Sequence, residues 1–210
     1  MNPKKTKVLM FNPERRQLDF KPELDIEGNP IDVIDKHRLV GFVLSDDLSW
    51  ESNTESLTNR AYAKMWIIRR LKTLGGSKNT LKLIYFQHIC SILEFGVAAW
   101  NGSISQKQSA KLERVQKVAL RLIYGRLKSY TELCKEANVT SLESRREKLC
   151  LQFAMKALKH PQFKYWFNQT ILHNINQKPC YLQCNSRTQR LQKYLIPYLT
   201  RLLYKYNGHE

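Results

Sequence analysis

The spacing of apolar residues changes once along this chain, near residue 52, from short alternating runs to a helical period. An alternating run lines one face of a strand, and a period near 3.6 lines one face of a helix, so the change divides the fold. Before it, Thr6 to Phe11 is a β-branched and apolar run. Leu24-Asp25-Ile26 and Ile31-Asp32-Val33 alternate on either side of Gly28-Asn29, the composition of a hairpin. Leu39 to Leu44 reads as a further apolar strand, and Pro3, Pro13, Pro22 and Pro30 fall between these runs.

After the change, start and stop signals divide the chain into helices. The first is expected from about Ser56 to Leu74, stopped by Gly75-Gly76. Ser77 caps a second, which carries Leu81, Ile84, Tyr85, His88, Ile89 and Ile92 on one side and ends near Gly96. A third runs from about Ser105 to Gly125, and a short one covers Tyr130 to Ala137. Ser141 caps a fifth that reaches about His160, before Pro161. Residues 161–188 are mixed, and an amphipathic stretch from Thr188 to Tyr206 is expected to be interrupted at Pro197. The fold class is α+β, predominantly α, with a small antiparallel β portion ahead of a helical bundle and a helical extension.

Charge follows the same division. Residues 1–60 carry 9 basic and 11 acidic side chains; residues 61–210 carry 26 basic and 7 acidic, a net +19 within a whole-chain +17. A solubilising surface needs roughly 2–8 net charges, so the field points to a polyanion, with nucleic acid ahead of an anionic membrane or an acidic protein. There is no run of 18 apolar residues. Lys4, Lys5 and Lys7 precede Val8-Leu9-Met10-Phe11, which is too short for the apolar region of a signal peptide. The expected compartment is therefore intracellular, nucleus or cytoplasm. Five irregularly spaced cysteines, at 90, 134, 150, 180 and 184, read as reduced and partly buried thiols.

On a wheel of the third helix, Leu112, Val115, Ala119, Leu122 and Ile123 share an arc of roughly 100°. Lys107, Lys111, Arg114, Lys117 and Arg121 share a neighbouring arc of roughly 120°. Burying the first presents the second as a five-cation stripe able to follow a phosphate backbone. The plainer reading is a solvated face, but the stripe contains no acid.

Four segments in order resemble LINE-type (non-LTR) retrotransposon reverse transcriptases, most like the jockey-like group. Asn2-Pro3-Lys4-Lys5-Thr6-Lys7 is similar to the lysine-bearing segment after the catalytic hairpin of the palm. Arg38-Leu39-Val40-Gly41-Phe42, with Leu44 to Trp50 after it, resembles the primer-grip hairpin and its exit. The usual pattern there is Lys-x-Leu-Gly-Val, from which Val40 and Phe42 depart. Leu81 to Trp100 resembles the thumb, as does Leu112-Glu113-Arg114-Val115-Gln116-Lys117 with Ile123-Tyr124-Gly125. The likeness continues from Ser141-Leu142-Glu143-Ser144-Arg145-Arg146 to Leu199 and so covers nearly the whole chain. It implies a palm remnant with a primer-grip-like hairpin (1–50), a thumb-like helical domain (51–137) and a basic helical extension (138–210). It further implies that the Phe/Tyr-Ala-Asp-Asp sequence lies upstream of Asn2, with Met1 starting inside an ancestral reading frame.

The chain's own candidates for chemistry are few. Asp46-Asp47 invites a two-metal reading, but adjacent residues of a strand point to opposite faces and cannot share an ion. A polar turn ahead of the first helix is the better account. The resemblance puts Lys5 beside the phosphates of an incoming nucleotide, where a lysine stabilises the leaving pyrophosphate; without catalytic aspartates it has nothing to assist. Cys180-x3-Cys184 with His160 or His173 lacks the second compact ligand pair of a structural zinc site. His88, on an apolar helix face, reads as a satisfied core residue. No catalytic residue, metal or cofactor is assigned. Near the end, Tyr181, Arg187, Arg190, Lys193, Tyr194, Tyr198, Arg201, Tyr204, Lys205 and Tyr206 interleave aromatics with cations. That pattern suits single-strand binding and suits a packed terminal helix equally well.

The expected function is a nucleic-acid-binding C-terminal fragment of an RNA-directed DNA polymerase. It would hold RNA, DNA or a hybrid by the backbone alongside the rest of the enzyme, and would be inactive alone. The expected contacts are Lys5, Lys107, Lys111, Arg114, Lys117, Arg121, Arg190, Lys193 and Arg201, with Leu39, Val40, Gly41 and Phe42 as the primer-grip-like hairpin. The competing reading is a domesticated, non-catalytic helical module that binds an acidic protein.

Overall fold

The computed structural model describes residues 6–12, 23–167, 169–170, 180–181 and 191–206. The architecture is α+β and mostly helical, with small two-stranded sheets. Two compact units divide the chain, Met1–Ser56 and Leu57–Glu210.

In the first unit, β1 (Val8–Leu9) pairs in parallel with β4 (Val33–Ile34). Between them, β2 (Asp25–Ile26) and β3 (Asn29–Pro30) form a hairpin. Its turn is Glu27-Gly28, one residue earlier than Gly28-Asn29, and Asp25 fixes it by accepting the Gly28 N–H at 3.0 Å. The expected strand from Leu39 to Leu44 is instead broken at its centre. β5 (Lys36–Leu39) and β6 (Phe42–Ser45) are antiparallel, and Leu39 faces Phe42 across a two-residue turn. Val40 and Gly41 both take positive φ, 48° and 91°, as a tight type I′ turn requires. The wholly antiparallel β portion is thus corrected by the parallel β1–β4 pair. Among the described residues no apolar side chain before Leu57 is fully buried.

The first helix, α1 (Glu51–Thr73), starts five residues before the expected Ser56. The added turn is polar and has no apolar period to reveal it, but Asn53 and Thr54 within it are buried. Asn53 accepts the Val43 N–H at 3.1 Å, and Glu51 lies where the helix dipole favours an acid.

In the second unit, Leu57, Ala61, Met65 and Ile68 turn one face of α1 into the core. Ser77 caps α2 (Lys78–Ile84), accepting the Thr80 N–H at 3.1 Å. The helix then widens into a π-helical turn at Tyr85–Cys90 and ends in α3 (Ser91–Leu93). Gly96 leads into a short α4 (Val97–Trp100), whose Trp100 is fully buried and donates its indole N–H to the Phe95 carbonyl at 3.0 Å. A capping box of Ser105 and Gln108 starts α5 (Gln106–Tyr124). A second box, Ser129 with Glu132, starts α6 (Tyr130–Ala137). Ser141 caps α7 (Leu142–Lys159), which packs against α4 and α5.

A short pair, β7 (Gln169–Thr170) with β8 (Cys180–Tyr181), precedes α8 (Leu195–Tyr206). Pro197 does not interrupt α8. It sits in the first turn, where its missing N–H has no helical acceptor to lose. α8 packs on α7 and α4, and Gly102 makes room for it: a Cβ there would come within 2.5 Å of Tyr198 and 2.7 Å of the Lys193 carbonyl. No helix among the described residues is long and apolar enough to cross a membrane.

Candidate nucleic-acid interface

The cations of α5 are held outward by what its other side buries. Leu112, Val115, Ala119 and Ile123 are buried as expected, and Leu122 is half-buried. Gln116 and Leu120 are buried too, which widens the core face and leaves the cations mostly opposite it. Lys107, Lys111 and Arg114 are exposed; Lys117 and Arg121 are half-buried.

The stripe does not act as one surface. Arg114, Lys117 and Arg121 line a cavity of about 790 Å³ whose other walls include Glu113, Tyr130 and Glu143. Lys107 and Lys111 are not among its walls. A second hollow, of about 330 Å³, shares Val118 and Arg121 with the first and adds Arg69 and Arg126. The two adjoin at Val118 and Arg121 along α5, and the basic groove is taken as the pair of them, with Arg69, Arg114, Lys117, Arg121 and Arg126 each lining one or both. The Arg121 Nε is buried without a hydrogen-bond partner among the described residues. Lys72 closes the contact between α1 and α5 by donating to the Leu122 carbonyl at 2.5 Å.

Glu113 is the acid closest in sequence to these cations, and the fold spends it elsewhere. Its carboxylate accepts the Leu142 and Glu143 N–H groups at 3.0 and 3.1 Å, capping α7 from a neighbouring helix, and also accepts the Tyr130 hydroxyl. Burial, and then the Glu113 hydrogen bond, push the Tyr130 phenol well up, so it stays a neutral donor. Arg146 is fully buried behind the cap, donating to Asn101 at 2.9 Å and Ser109 at 2.6 Å. Burial lowers its pKa from the usual arginine range. The adjacent Arg145 pairs with Glu94, its second guanidinium nitrogen 3.3 Å from the carboxylate.

Of the other expected contacts in the second unit, Lys193 and Arg201 are not among the residues that line this groove. Lys193 and Arg201 are exposed, the latter with its guanidinium 5.9 Å from the Tyr198 ring centre. Tyr198 is buried and its hydroxyl accepts from Asn101 at 2.8 Å, so this tyrosine packs α8. Lys5, Arg187 and Arg190 lie outside the described residues, as do His173 and Cys184. At the primer-grip-like hairpin, Leu39 is 52% and Val40 80% exposed, while Gly41 and Phe42 are half-buried and Phe42 meets Trp50 edge-on. Asp46 and Asp47 form a turn: Asp47 accepts from the Ser45 hydroxyl and the Ser49 N–H at 2.7 and 3.0 Å, and Asp46 accepts the Asp47 N–H at 2.9 Å. The core assignment of His88 is corrected, since the π-helical turn rotates it outward and it is exposed.

Sequence reasoning did not single out Arg69 and Arg126. Arg69 belongs to a helix with no acid after Ser56 and five cations from Arg60 to Lys72, but these are spread around the helix and form no stripe like the one on α5. No protein-family model, curated protein or solved structure matches the chain.

Proposed function

We propose that this chain is a nucleic-acid-binding part of a LINE-type reverse transcriptase, spanning the end of the palm, the primer grip, the thumb and a C-terminal extension. Its task is to hold the template–primer backbone. The observation that carries the reading is the groove along α5, where five cations converge and the neighbouring carboxylate of Glu113 is committed to the cap of α7. Arg69, Arg114, Lys117 and Arg121 are held by folded helices and outnumber the carboxylates that line the same hollows, Glu113 and Glu143, so phosphates are met at small ordering cost. The tip at Val40, exposed in a conformation that β-branched residues avoid, supports a contact role for the hairpin. Asp46 and Asp47 are bound into their own turn, which supports no catalytic role for that pair.

Binding to RNA–DNA hybrid, duplex DNA and single strands of unrelated sequence, measured from about 50 to 200 mM salt, tests the proposal. The expected result is affinity that falls steeply with salt and is indifferent to base sequence. No binding at the lowest salt overturns it. Polyglutamate competing as well as nucleic acid, at equal charge, would move the assignment to an acidic protein partner.

A further inference from the structure

Trp66 on α1 is 60% exposed, and Tyr62, one turn before it, is 38% exposed. The buried residues of α1 account for its core face without them. Tyr62, Trp66 and Arg69 fall in an arc of roughly 60° that is rotated away from Leu57, Ala61, Met65 and Ile68. Arg69 is the far wall of the hollow that it shares with Arg121 and Arg126, and Lys72 pins the last turn of α1 to the last turn of α5. The exposed indole therefore stands one helical turn from the rim of the basic groove, in the same compact unit.

An exposed indole one helical turn from Arg69, which lines a hollow with Arg121 and Arg126, offers a planar apolar face near an anion track. That pairing fits a base joined to phosphates. A duplex keeps its bases stacked inside, so a side chain on a convex helix reaches a base face only where the strand is unpaired. We propose that Trp66 is a stacking platform for an unpaired base of single-stranded nucleic acid, with the flanking phosphates held by Arg69, Arg121 and Arg126. The proposal rests on the chain binding nucleic acid, and adds to it where the single-stranded portion lies. Tyr62 extends the aromatic face by one turn.

Stacking and phosphate contact separate by their salt dependence, because only the second releases counterions. The test is fluorescence anisotropy of the full chain with a labelled 12-nucleotide single strand and with a duplex of the same length, across a salt series. Trp66→Ala is expected to weaken single-strand binding about five- to a hundredfold, with an unchanged salt slope and little change on duplex. Trp66→Phe retains most of the affinity, since it keeps a ring. Tyr165→Ala removes a 75% exposed aromatic that does not line the groove and changes nothing. The double variant Arg69→Gln/Arg126→Gln flattens the single-strand slope by about one to one and a half units. A Trp66→Ala chain with wild-type single-strand affinity, or one weakened equally on duplex, overturns the proposal. If Trp66→Ala is silent while groove charges still set the slope, stacking fails and the function stands. If the wild-type chain binds neither probe, both fail.

Discussion

The Tyr85 hydroxyl donates to the Gln116 side-chain oxygen at 2.6 Å, joining the π-helical turn to the middle of α5 inside the core. Both side chains are fully buried. The Gln116 amide continues the chain of bonds to the Tyr130 hydroxyl at 2.8 Å and the Thr140 carbonyl at 2.9 Å, and Tyr130 passes it on to Glu113. One glutamine ties three helices and the loop before α7, and the same network engages the Glu113 carboxylate at the wall of the groove.

Replacing Gln116 by Leu should therefore destabilise the helical unit by about 2–4 kcal/mol, because buried hydroxyl and carbonyl groups lose their partners. Tyr85→Phe should cost less in the Gln116→Leu background than in the wild type, since its acceptor is already gone. Urea unfolding of the four chains of this cycle gives the coupling. Additive losses would mean that the two side chains act independently.

Burial raises the Cys90 thiol to about 12 and the Cys150 thiol to about 11, and pushes the Tyr85 and Tyr198 phenols up as well. In the unfolded chain thiols ionise near pH 8.5 and phenols near 10. Above about pH 8 the unfolded state thus binds fewer protons than the native state, and stability falls as pH rises. The stabilisation is fully present at neutral pH and is lost progressively toward pH 12. Urea midpoints at pH 7, 9 and 10.5 should decline in that order; a midpoint unchanged at 10.5 would contradict these burial effects.

Val40 has a φ of 48° at the tip of the β5–β6 hairpin, although its branched Cβ disfavours that region. Asparagine adopts it readily and is a preferred residue at this turn position. Val40→Asn should stabilise the hairpin by about 1 kcal/mol, slowing hydrogen exchange of its ladder amides about fivefold. Unchanged or faster exchange would show that Val40 is not strained there.

Most helix ends were legible in the sequence because their signals are local. Ser77 and Ser141 cap where expected, and Gly125 follows the last residue of α5. The apolar pattern hid the turn at Val40-Gly41, because valine is among the residues least suited to the first position of such a turn; a hairpin at Arg38 to Phe42 was expected only from the resemblance. The polar start of α1 was missed for want of an apolar period. On α5 the five cations were legible, but not their division into groove and flank. That division depends on Arg69, which is 52 positions before Arg121 in the chain and meets it only after folding. The capping of α7 by Glu113 is likewise a contact across 29 residues that no short pattern encodes.

Arg114, Lys117 and Arg121 are expected to meet phosphates as a built surface rather than as part of a diffuse positive field. Neutralising all three to Gln should flatten the slope of log K against log salt on duplex by roughly two to three units, at about 0.9 per phosphate. The loss should be similar for every base sequence. The charge-matched control is Lys148, Lys156 and Lys159 to Gln, three exposed cations of α7 that do not line the groove. The control should keep most of the wild-type slope. Equal flattening by both triples would contradict this.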